Sequence, residues 1–172
     1  MRYLNAVLAA LLVCPGTVSA QSSAIATVEI TADVLSPITV TAHQALAFGK
    51  VGQGIAKTIV PDAPTSGRFE VVGNGAAGVS LTVTLPSVLS SGSNSLLIDN
   101  WTGRWSENSD NADGMLFTPE SGEATAYTLP GDRGDPMKSL FFRLGAMVHP
   151  DITQPAGQYS GVIRVSVVYS EI

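Results

Sequence analysis

The sequence predicts an all-β protein, and three observations carry that prediction. Apolar and polar residues alternate over several stretches, β-branched residues concentrate in those stretches, and clusters of Gly, Pro, Asn and Asp separate them. Beyond residue 20 no stretch repeats its apolar residues at the three-to-four spacing of a helix face. Short strands with turn punctuation build a sandwich or a barrel.

The chain opens with a different signal. Met1 and Arg2 give a positive start, Tyr3 to Val13 is an apolar run broken only by Asn5, and Val18-Ser19-Ala20 stands before Gln21. This is the layout of a secretory signal peptide over residues 1–20, cleaved after Ala20. The run is too short for a membrane span, which takes ~20 apolar residues. The single cysteine, Cys14, follows Val13 rather than the small residue a lipid-anchored cysteine needs, so it is expected to leave with the signal. The exported chain would then have no disulfide and would depend on its core and hydrogen bonds. It would also have no thiolate for zinc or for catalysis.

Residues 21–36 read as an N-terminal extension. Ala26, Val28, Ile30, Ala32 and Val34 make one apolar face, while Thr27, Glu29, Thr31 and Asp33 make the other. Pro37 sets this strand apart from the body of the chain. A terminal strand detached in this way is free to pair outside its own sheet.

Residues 37–172 read as the sandwich. Val79, Leu81, Val83 and Leu85 alternate with Ser80, Thr82 and Thr84, which gives one buried and one wet face. Leu140, Phe142, Leu144, Ala146 and Val148 repeat the pattern, as do Ile163, Val165, Val167 and Tyr169 in the last strand. Shorter strands are expected at Ile38–Val40, Leu46–Phe48, Lys57–Val60, Arg68–Val72, Leu96–Trp101 and Met115–Phe117. Turn chemistry sits at Pro61–Pro64, Gly73–Gly75, Ser90–Asn94 and Pro130–Asp132. Glu107 to Gly114 is a polar loop.

Composition and motifs argue against several function classes. Nine Lys and Arg face 14 Asp and Glu, so no basic patch is available for nucleic acid. Charged residues make up only 13% of the chain, which suits protein–protein contact better than a soluble metabolic role. Gly73-x-Gly75-x-x-Gly78 has the spacing of a dinucleotide fingerprint, but a strand comes next where a helix N-terminus would be required, so no nucleotide is expected. Arg133-Gly134-Asp135 spells the integrin tripeptide, but three-residue matches are common by chance and this one lies in a Gly/Pro-rich turn, and Asn100-Trp101-Thr102 has sequon form within a strand. Asn108, Asp110, Asn111 and Asp113 miss the calcium-loop spacing because Ala112 takes a ligand position. His43 and His149 form no metal pair, and no serine has a nucleophile elbow around it. Trp101 and Trp105 read as packing residues. The expectation is a structural or binding protein with no cofactor, metal or catalytic residue.

The end of the chain carries the most specific pattern. Gly157-x-Tyr159-x-Gly161 comes after a turn and leads into the long alternating strand that closes at Tyr169. Together with Pro37–Val40, Leu46–Gly49, Phe69–Val71 and Val79–Pro86, this order resembles bacterial pilin-like proteins of the domain of unknown function family 4402. Those proteins are related in design to chaperone–usher pilus subunits and spore-coat-U-type subunits. The resemblance implies an immunoglobulin-like antiparallel β-sandwich lacking its final strand, with an apolar groove beside the C-terminal strand. It implies that a periplasmic chaperone fills the groove first, and that the N-terminal extension of a neighbouring subunit then replaces the chaperone at an outer-membrane usher. On that basis Ala26, Val28, Ile30, Ala32 and Val34 are the donor strand, and Ile163, Val165, Val167 and Tyr169 line the acceptor groove. The place of work would be the periplasm, then the cell surface or fimbrium. The rival expectation is a self-contained secreted binding module whose residues 21–34 complete its own sheet.

Overall fold

The computed structural model describes residues 34–109 and 114–170, with Glu29 and Ala32, and among them every regular element is a β-strand. The strands are β1 (Thr39–Gln44), β2 (Lys57–Ile59), β3 (Gly67–Gly73), β4 (Gly78–Thr84), β5 (Val88–Ser91), β6 (Asn94–Ser106), β7 (Met115–Phe117), β8 (Ala124–Thr128), β9 (Lys138–His149) and β10 (Arg164–Tyr169). They form an antiparallel β-sandwich. Its large sheet runs β1-β3-β9-β6-β5, with β2 also on β9 and β7 also on β6, and its small sheet runs β10-β4-β8.

Two long strands form the spine of the large sheet. β9 pairs along one edge with β6 and along the other with β3 and β2, which lie end to end. The far edge of β6 is divided in the same way between β7 and β5. The connection from β2 to β3 crosses at Gly145, where a Cβ would run into the Ile59 carbonyl oxygen. Glycine is required there for backbone to pass backbone.

The alternation read from the sequence sets the core. Leu140, Phe142 and Leu144 of β9, Phe69 and Val71 of β3, Val79, Leu81 and Val83 of β4, and Tyr127 and Leu129 meet between the sheets. Phe69 stacks on Phe142 at 4.9 Å, and Tyr127 sets its edge against Phe142 at 5.1 Å and Trp105 at 5.4 Å. Further along β9, Ala146 and Val148 turn the same face toward Leu96 and Ile98 of β6, forming a second cluster. Between the two clusters β6 carries a bulge from Asp99 to Thr102, with Asn100 at φ 49°. The extra residue shifts the alternation by one. Leu96 and Ile98 face inward before it, and Gly103 and Trp105 register with the inward Leu144 and Phe142 after it.

The expected strands form with some differences. β1 extends beyond Val40 through Gln44, because pairing with β3 carries its polar residues along. Leu46–Phe48 is not a strand: its one ladder-like bond is Ala47 N–H to Thr65 O at 3.0 Å, and Leu46 and Phe48 pack on the second cluster instead. β5 and β8 form where no strand was expected. Gly78 does begin a strand, β4, as the reading of the glycine triplet required.

Tyr127 is buried in the core, and among the described residues its hydroxyl has no hydrogen-bond partner. Burial pushes this phenol up from 10.0 to about 12. Below pH 10 both folded and unfolded chains hold the proton; between pH 10 and about 12 only the folded chain does, so stability falls as pH rises through that window. Tyr127→Phe should remove this alkaline loss and gain up to about 1 kcal/mol at pH 7, because an unpaired buried hydroxyl is lost. Urea unfolding of the two proteins at pH 7 and pH 11 checks both effects.

Candidate binding groove

The small sheet is shorter than the spine it covers, and an apolar groove opens where it stops. β10 pairs with β4 from Arg164↔Thr84 to Tyr169↔Val79, and no described strand pairs with its other edge. β1 is likewise the last strand of the large sheet. These two unpaired edges bound the same opening. The groove has a volume of about 1390 Å³. Phe69, Leu144 and Val148 lie along its floor, the segment from Ala42 to Val51 forms one wall, and Ile163 and Val165 with the preceding loop form the other.

Alternation positions the β10 side chains. Ile163, Val165, Val167 and Tyr169 are half-buried and packed on the main core, while Arg164, Ser166 and Val168 face outward. Ile163 and Val165 reach the open groove. Val167 and Tyr169 lie at the closed end, where Tyr169 acts as a clasp. Its hydroxyl donates to Ser36 O at 2.9 Å and accepts from Asn74 N–H at 3.1 Å, and Ser36 N–H donates to Asn74 Oδ1 at 3.0 Å. Gly73 makes room for that phenol, since a Cβ there would stand 2.7 Å from its oxygen.

The loop wall is fixed by its own hydrogen bonds. Gln154 Nε2 donates to Ser95 O at 3.1 Å and to Tyr159 Oη at 2.6 Å, and Tyr159 Oη donates to Pro155 O at 2.8 Å. Ser90 and Ser160 exchange backbone bonds at 2.8 and 3.0 Å, so the loop is held against β5. The β6 bulge turns Trp101 toward the second cluster at the groove's wide end. Such a groove has apolar walls and two free rows of backbone donors and acceptors, so it can take an extended segment as an added strand. Among the described residues, no group of His, Cys, Asp or Glu is arranged to hold a metal ion.

The sequence pattern of a domain of unknown function, DUF4402, matches residues 15–169. The chain belongs to the DUF4402 family. No curated protein matches it.

Of the four residues expected to line an acceptor groove in the DUF4402 domain, Ile163 and Val165 line this one, while Val167 and Tyr169 pack on the core beyond its closed end. Of the expected donor residues, Ala26, Val28 and Ile30 lie outside the described residues, as does the signal segment 1–20. Ala32 and Val34 are described and exposed, Val34 at 92%. The opposite wall has no assignment from sequence. Leu46 and Phe48 read as an ordinary strand, and the usable signal is an apolar run with no strand beside it to pair with. Trp101 reads as packing, and its place in the groove depends on a bulge. Within this DUF4402 domain, Tyr169→Phe should cost about 1–3 kcal/mol, because the buried Asn74 N–H loses its acceptor. It should also speed proteolysis just ahead of β1. Chemical denaturation and limited proteolysis monitored by mass spectrometry check the two effects.

Proposed function

We propose that this protein is an exported structural subunit of a pilus or surface fibre, assembled by insertion of a donor strand into the groove beside β10. One observation carries the reading: a long apolar groove opens between two sheet edges, and one of those edges is the C-terminal strand. An exposed sheet edge over apolar walls is an aggregation hazard that proteins do not leave uncovered. The resemblance to chaperone–usher and spore-coat-U-type subunits supports the same reading. The site would be covered by a periplasmic chaperone before assembly, then by residues 26–34 of a neighbouring copy or a related subunit.

The energetics are adequate for a stable joint. Burial of Val28, Ile30 and Val34 is worth ~1.5–3 kcal/mol each, or ~5–9 together, and each ladder bond adds ~0.5–1.5. The alternating acidic and threonine residues of the segment would face outward, where charge is tolerated.

Deletion of residues 21–34 separates this reading from a self-contained module. The intact exported chain should form concentration-dependent oligomers in light scattering. The deleted chain should be monomeric and should bind a peptide copy of residues 24–36, with a blue shift of tryptophan fluorescence from Trp101 and a rise in melting temperature set by peptide concentration. An intact chain that is a stable monomer, indifferent to the peptide, would sink the proposal. A deleted chain that cannot fold even with peptide supplied would place the segment in the protein's own sheet.

A further inference from the structure

The outer face of the large sheet carries an arrangement that strand assembly does not use, although His43 and Arg68 also border the groove at its β1 side. Arg68 of β3 stands directly opposite Arg143 of β9, and Arg143 stands directly opposite Arg104 of β6. The register therefore places three arginines in one row across three neighbouring strands. The whole chain has only nine Lys and Arg, so a third of its basic residues meet in this row. Like charges directly opposite one another on a sheet are destabilising.

Two of the three charges are answered from within. Arg104 pairs with Asp62 at 3.2 Å, and Arg143 donates to Ser109 O at 3.5 Å and has a further partner. Among the described residues, the Arg68 side chain has no hydrogen-bond or ion-pair partner, and the Nε of both Arg68 and Arg104 is buried and unpaired. Glu70, the nearest carboxylate on the same strand, is engaged elsewhere. Ser139 bonds it, His43 Nε2 lies 2.9 Å from it, and these contacts hold its carboxyl below the ordinary value. A hollow of about 210 Å³ lies beside the row, lined by His43, Arg68, Glu70, Ser109, Phe141 and Arg143. Phe141 gives it one apolar side.

We propose that this hollow binds a compact oxyanion, the carboxylate of an acidic sugar or a phosphate group, held by the guanidinium fork of Arg68 beside Arg143. Arginine presents paired donors that match such groups, and the Nη groups of Arg68, which are not among its buried atoms, are the donors an anion can reach. The site lies on β1, β3 and β9, meets the groove at His43 and Arg68, and takes no residue from its β10 wall.

Calorimetric titration of the full chain with inorganic phosphate and with glucuronate tests this. At least one of them should bind with a dissociation constant of ~1 mM, the strength of a few charge-assisted bonds. Tighter glucuronate binding points to acidic sugars and use of the Phe141 wall; tighter phosphate binding points to phosphate esters. Arg68→Gln should weaken binding about tenfold or more, and Arg68→Lys should weaken it less, because charge is kept and the fork is lost. Arg133→Gln, which removes the same charge from a distant turn, should leave affinity unchanged. The proposal is overturned if neither anion binds, or if Arg68→Gln and Arg133→Gln have equal effects.

Discussion

β9 turns apolar side chains inward along its whole length, from Leu140 to Val148, but the three-stranded sheet covers only its first half. That mismatch between a long spine and a short cover is the constraint on which the rest of the structure depends. Over the first half the core closes by sheet-on-sheet packing, with Phe142 clasped by Phe69 and Tyr127. Over the second half there is no facing sheet among the described residues, and Ala146 and Val148 are covered by Leu96 and Ile98 from the side and by irregular segments from above. Those segments leave an elongated opening between them. The groove is thus set by strand lengths, and the segments on either side of it supply its walls.

The β6 bulge makes the two halves compatible. A strand that kept strict alternation could not present Ile98 to one cluster and Trp105 to the other, since one position is even and the other odd. Two residues, Asn100 and Trp101, opposite one on β9 repair the phase, and Asn100 accepts the left-handed backbone this demands. Gly145 on the neighbouring strand lets the β2–β3 connection pass at the same level. The waist of the sheet is therefore written in three small local choices.

Much of this is legible in the sequence where one face is apolar and the other polar. β4, β9 and β10 follow from alternation alone, and Ile163, just ahead of β10, packs on the core with Val165, Val167 and Tyr169 of that strand. β8 is hard to read because Ala124, Thr125 and Ala126 carry little contrast and only Tyr127 is buried. β5 is hidden because its serines read as turn. Leu46–Phe48 looks like a strand by composition, yet a strand needs a partner, and sequence does not show where a sheet ends. The arginine row is illegible for a related reason. Arg68, Arg104 and Arg143 are far apart in the chain, and only the register of three strands makes them neighbours.

The clasp at Tyr169 has a mechanical consequence. It ties Ser36, just ahead of β1, both to the last strand and, through Asn74, to the turn after β3. A pull on the chain ahead of residue 36 would meet this three-way knot before it reached the β1–β3 ladder. Tension would be spread into both sheets at once as shear, instead of unzipping the outermost strand one bond at a time.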